Sequence, residues 1–158
     1  MDLSGILTTS LWAGLFATGL AILMTTPPRH LAATFVCAAA GRLVRDVLMG
    51  WGASQNWSTV IAATVVLLVA VALTQRHKVS PVVVVCGVLP LWVAVAMFNA
   101  IFELMILSTA KGDALNGASL AFTSNLAKVF VVSLSIALGI SAGWTVLRLF
   151  SRARAAEG

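Results

Sequence analysis

Trp57-Ser-Thr-Val-Ile-Ala-Ala-Thr-Val-Val-Leu-Leu-Val-Ala-Val-Ala-Leu73 is the stretch that decides the fold. It has no charged residue and no glycine or proline. A helix crosses roughly 30 Å of hydrocarbon with about 17 to 25 apolar residues, and this run is long enough to do so. Membrane β-strands instead alternate apolar and polar positions over about ten residues. No such alternation is seen here.

The rest of the chain repeats the pattern. Of 158 residues, 60% are hydrophobic and 9% are charged, and mean hydropathy is +1.03. A water-soluble domain carries about a quarter charged residues, so this surface is suited to lipid. The expected class is an all-α polytopic membrane protein with about five transmembrane helices, forming a single transmembrane domain over 1–158. The first span runs from Gly5 to Met24 and ends at Thr25-Thr26-Pro27-Pro28. The second runs from Leu31 to Gly50, and a polar turn, Gly52 to Asn56, leads to the third, Trp57 to Leu73. Gln75-Arg76-His77-Lys78 stops that run. The fourth, Val79 to Thr109, is too long for one straight span and contains Pro81 and Pro90. Proline removes a helical hydrogen bond and disfavours helix just before it, so this span is expected to break at Pro90, with segments to Leu89 and from Leu91 to Leu107. Pro90 could alternatively only kink a packed helix. Lys111 to Gly117 is expected to be a loop, and Leu120 to Phe150 the fifth span. The first run lacks a basic leader, having Asp2 instead, so it is read as a span rather than a cleaved signal.

The net charge of +5 and pI near 10.3 follow from topology. With five spans, Arg29, Arg76, Lys78, Arg148, Arg152 and Arg154 share one side, and Lys111 lies opposite. Basic residues collect on the cytoplasmic side, placing the amino terminus out and the carboxyl terminus in. Nucleic-acid binding is not implied, since no soluble basic domain or aromatic stacking platform is present. The arginines from Arg148 to Arg154 can touch anionic headgroups of the lipid bilayer. Trp51, Trp57 and Trp144 fall near span ends, as interfacial anchors do. Cys37 and Cys86 lie within apolar runs and read as buried thiols. His30 and His77 read as surface groups. No metal site, cofactor or nucleotide fingerprint is legible, and no nucleophile–base pair suggests an enzyme.

Small residues recur every four positions at Ala13, Ala17 and Ala21, at Ala33, Cys37 and Gly41, and at Ser133, Ala137 and Ser141; Gly139 and Gly143 form a G-x-x-x-G. Such rows let membrane helices approach closely, within one chain, in a homo-oligomer or against a partner.

Charges at depth carry the functional reading. Arg42, Arg45 and Asp46 share a face of the second span, Arg42 meeting Asp46 at i,i+4. Glu103 follows Asn99 by one turn, and Lys128 follows Asn125. A charge at a helix centre costs about 2.5 to 3.5 kcal/mol on insertion scales. Such groups usually pair with one another or line a solute path. Pairing would join Asp46 to an arginine and Glu103 to Lys128. The three bases and two acids leave one positive charge in excess, which suits a carboxylate-bearing solute. Broken helices also frame transporter sites.

The motifs P-P-R-H-L after the first span, G-R-L-V-R at Gly41 to Arg45, N-W-S-T at Asn56 to Thr59, H-K-V at His77 to Val79, L-P at Leu89 and Pro90, and S-N-L at Ser124 to Leu126 occur in that order. From about Pro27 to Gly143 the chain resembles the small five-span protein of the threonine/serine exporter family, the counterpart of the exporter's C-terminal membrane half. It departs from the family's pattern at Val93 and Ala94, where a second proline and glycine tend to stand, at Phe98 in place of tyrosine, and at Asp46 and Lys128. The resemblance implies a secondary exporter of threonine and serine, or of small dicarboxylates such as succinate, working with a larger multi-span subunit in a bacterial inner membrane. On that reading Arg42, Arg45 and Lys128 attract the carboxylate, Asn99 and Asn125 add hydrogen bonds, and Asp46 or Glu103 takes a coupling proton, because a low dielectric disfavours the charged form of a carboxyl. The other reading is a non-transporting scaffold whose charges are only paired.

Overall fold

The structure, a computed structural model, describes residues 3–73, 81–92, 94–109, 111 and 113–156. The stop at Gln75 to Lys78, the start of the fourth run at Val79, the H-K-V motif, Asp2 and Val93 lie outside the described residues. Among the described residues six α-helices follow in order: α1 Leu3–Leu23, α2 Leu31–Gly50, α3 Gln55–Leu73, α4 Pro81–Val88, α5 Ala94–Leu107 and α6 Asp113–Ala156. Short 3-10 turns occupy Pro28–His30 and Leu89–Leu91. Among the described residues there is no strand.

The end of α1 shows how the first connection is made. Thr26 N–H donates to Ala21 O (3.0 Å), and Thr25 N–H to Ile22 O (2.9 Å). This is the paired closure of a Schellman end, in which the residue after the helix takes a left-handed conformation. Thr25 does so, with φ of 53°, although a β-branched residue is disfavoured there. Pro27 then turns the chain, and α2 begins at Leu31 as expected.

Two other boundaries shift from expectation. Ser54 O accepts Ser58 N–H (3.0 Å), so α3 begins at Gln55 and Asn56 is helical. The expected loop from Lys111 to Gly117 is shorter, because α6 starts at Asp113. Leu115 is a good helix former.

The chain divides into two compact units, residues 1–91 with 135–158, and residues 92–134. In the first, α2 packs against α1, α3 and α4. Its core gathers Cys37, Ala62, Ala63, Val66, Val83 and Leu91, with Ile136 and Ile140 of α6 against it. Ala13, Ala17 and Ala21 are buried, whereas Trp12, Phe16 and Leu23 of the same helix are exposed. Small residues inside and large apolar ones outside is the distribution expected where lipid is the solvent. Gly139 and Gly143 explain the approach of α6 to α3. A methyl group at Gly139 would strike the Val60 carbonyl oxygen, and one at Gly143 would lie 3.0 Å from Leu67 Cδ2. Thr64 Oγ1 adds a bond to Gly139 O (2.9 Å). By contrast Ala137 and Ser141 are exposed, so that row does not serve this packing.

In the second unit, α5 and the first half of α6 form an antiparallel pair. Trp92 Nε1 donates to Ser133 Oγ (2.9 Å) near one end, and Asn125 bonds Glu103 further along. Among the described residues three helices, α1, α3 and α6, are long and apolar enough to cross a membrane, and Pro81–Leu91 with Ala94–Leu107 would add a fourth span if the bent pair makes one. α2 has a span's length but carries three charged residues.

Candidate functional site

The periodicity of α2 puts Arg42, Arg45 and Asp46 within one turn of each other, and the structure gives each a different environment. Arg42 Nε donates to Asp46 Oδ2 at 3.0 Å, the i,i+4 pair expected of the helix. Their side chains are 31% and 17% exposed. The same oxygen accepts Thr9 Oγ1 of α1 at 3.1 Å. Thr9, with Thr8 and Ser10, interrupts the apolar run of α1, and that polar step is the only sequence signal of its role. Sequence reasoning had not singled it out.

Arg45 is 6% exposed. Its Nη1 donates to the carbonyl of Leu91 at 2.8 Å. That carbonyl belongs to the 3-10 turn containing Pro90, at the end of α4. The last carbonyls of a helix have no partner within it, and at membrane depth protein must satisfy such groups. Arg45 does so for Leu91. Gly41, one turn earlier, lets α3 come close: a Cβ there would collide with Val66 Cγ2, while Leu91 Cδ1 would stand at an ordinary contact distance of 3.7 Å. Arg45 Nε, in turn, is buried with no hydrogen-bond partner among the described residues.

The second unit holds a separate polar group. Asn125 Nδ2 donates to both carboxylate oxygens of Glu103, at 3.0 and 3.1 Å. The structure thus pairs Glu103 with an amide, and among the described residues no ion pair joins Glu103 to Lys128. Lys128 and Asn99 are exposed on α6 and α5. The predicted residues therefore fall into two clusters: Arg42, Arg45 and Asp46 with Thr9 and the Leu91 carbonyl, and Glu103 with Asn125. Among the described residues no three His, Cys, Asp or Glu side chains gather as metal ligands would.

Residues 9–146 match the family model described as Threonine/Serine exporter, ThrE. The chain belongs to this family. The match starts at Thr9 and ends at Val146, so it takes in both polar clusters and Pro90. No curated protein and no solved structure matches the chain. Membership of the threonine/serine exporter family, together with the apolar helices, makes the chain a multi-pass membrane protein.

Proposed function

We propose that this member of the threonine/serine exporter family is the small subunit of a secondary exporter of small carboxylate-bearing metabolites. Threonine and serine come first among its solutes, and a dicarboxylate such as succinate is the related possibility. It works with a larger multi-span partner in the bacterial inner membrane, crossing five times with its amino terminus outside. α2 is the span that composition alone disguises, and α4 with α5 make the span broken at Pro90.

The observation that carries this reading is the charge balance on α2. Asp46 accepts from Arg42 and Thr9, and the buried Arg45 makes no salt bridge among the described residues. An uncompensated charge at membrane depth usually faces a solute path or an ion. Lys128 adds attraction for the carboxylate, Asn99 and Asn125 hydrogen-bond the solute, and Asp46 or Glu103 carries the coupling proton. Of the two, Glu103 is the carboxylate that no ion pair holds among the described residues.

Reconstitution of both subunits into proteoliposomes tests the reading. Threonine movement down an imposed proton gradient is expected, with loss in Arg45→Ala and Lys128→Ala. Full activity in both variants would show the site to be wrong. The closed network of Arg42, Asp46 and Thr9 favours one alternative, a scaffold whose charges serve assembly. Under that alternative Arg42→Ala reduces complex yield, and no solute stabilises the purified complex.

A further inference from the structure

Arg45 is a side chain with two unequal edges. One edge is used: Nη1 bonds the Leu91 carbonyl at 2.8 Å. The other is Nε, sealed from solvent and unpartnered, with Nη2 beside it. No hydrogen bond joins Nη2 to a described residue. Nε and Nη2 direct parallel N–H bonds, the fork that receives a carboxylate through both oxygens. A buried donor left unpaired is uncommon and costly. The adjacent acid, Asp46, makes no hydrogen bond or ion pair to Arg45 among the described residues; its Oδ2 accepts from Arg42 Nε and Thr9 Oγ1.

We infer that Arg45 grips the solute carboxylate through Nε and Nη2 while Nη1 holds the Leu91 carbonyl, so that solute occupancy and the backbone turn at Pro90 are linked through one guanidinium. This rests on the exporter reading and specifies its site. Arg42 is not a carboxylate ligand here. With Asp46 and Thr9 it is a positioning group that keeps the chain's own acid away from the fork. The planar guanidinium offers its two parallel donors to a planar anion, and the solute's amino group plays no part in this contact. Binding at the fork strengthens the hold on one edge of the guanidinium and thereby restricts the other, which steadies the Leu89–Leu91 turn.

The full chain in lipid nanodiscs tests this with threonine, succinate and threoninamide, the last lacking a carboxylate. Threonine and succinate are expected to raise the unfolding temperature of the wild type, and threoninamide is not. Hydrogen exchange at Leu91, Trp92 and Ala94 is expected to slow when threonine is present. Arg45→Lys keeps the charge and a donor for Leu91 but lacks the fork, so threonine affinity should fall about tenfold or more. Arg29→Lys, as a control at an exposed arginine outside the site, should bind within about threefold of wild type. No stabilisation of the wild type by either carboxylate overturns the inference, as does unchanged affinity in Arg45→Lys or unaltered exchange at the turn. Transport that persists while Arg45→Lys binds normally would overturn the inference and leave the exporter reading standing. Carboxylate binding at Arg45 without any transport would support the inference and overturn that reading.

Discussion

Asp46, in the unit of residues 1–91 and 135–158, is held by a cation and a hydroxyl; Glu103, in residues 92–134, is held by a neutral amide. The first arrangement cancels the acid's charge, and the second leaves it. The units differ in packing as well. The first draws helices together at glycine positions, where α6 meets the Val60 carbonyl and α2 meets Val66. In the second, Ala100 and Val132 are buried while Val95, Phe98, Met105 and Phe130 stay exposed, and side-chain bonds join the helices. The first unit is thus framed by close helix approaches, and the second is joined by side-chain hydrogen bonds.

The sharpest way to break the contrast is to spoil the glycine frame. Gly139→Ala places a methyl group against the Val60 carbonyl oxygen and 2.7 Å from Ala63 Cβ, and neither atom can swing away. A loss of about 3 kcal/mol is expected, read as a lowered unfolding temperature in nanodiscs. A stable Gly139→Ala would mean that α6 does not sit against α3 as described. Next in size is Asn125→Leu, which strips both bonds from Glu103. Hydrogen bonds to a charged group contribute about 1.5 to 3 kcal/mol, so a loss near 2 is expected, and Glu103→Gln added to Asn125→Leu should recover part of it. If Asn125→Leu costs nothing, the amide does not support the acid.

The Arg42–Asp46 pair should give a smaller effect. Asp46→Ala removes the acceptor for Arg42 and Thr9, at about 1 kcal/mol for a partly exposed pair. Arg42→Ala with Asp46→Ala should cost less than the two single changes together. Strict additivity in that cycle would show the pair to be geometric only.

Sequence periodicity reads some of these features well. The Arg42–Asp46 contact follows from i,i+4 spacing on one helix, and the limits of α2 follow from Pro27-Pro28 before it and the polar turn after Gly50. The Arg45–Leu91 bond is not legible, because it spans 46 positions and ends on a backbone carbonyl, which every residue offers. If the charges only paired, Glu103 would meet Lys128, but on α6 Asn125 lies one turn earlier and takes the carboxylate. Charge complementarity alone does not rank an amide against an ammonium group. The rows of small residues were legible as contact faces, yet only packing separates Gly139, which is buried, from Ala137, which is exposed.

The smallest expected effect isolates packing from intrinsic preference on one helix. Gly117 lies in the first turns of α6, and nothing is within 4 Å of where its Cβ would stand. Glycine within a helix is less favourable than alanine by about 0.5 to 1 kcal/mol, because it loses more backbone freedom on ordering. Gly117→Ala should therefore raise stability by about 0.5 kcal/mol, opposite in sign to the same substitution at Gly139. Both changes add one methyl to α6, so chemistry and helix are held constant and only the neighbour differs. A destabilising Gly117→Ala would show that residues 113–117 are not helical in the membrane-bound protein, returning that segment to the loop that its composition suggests.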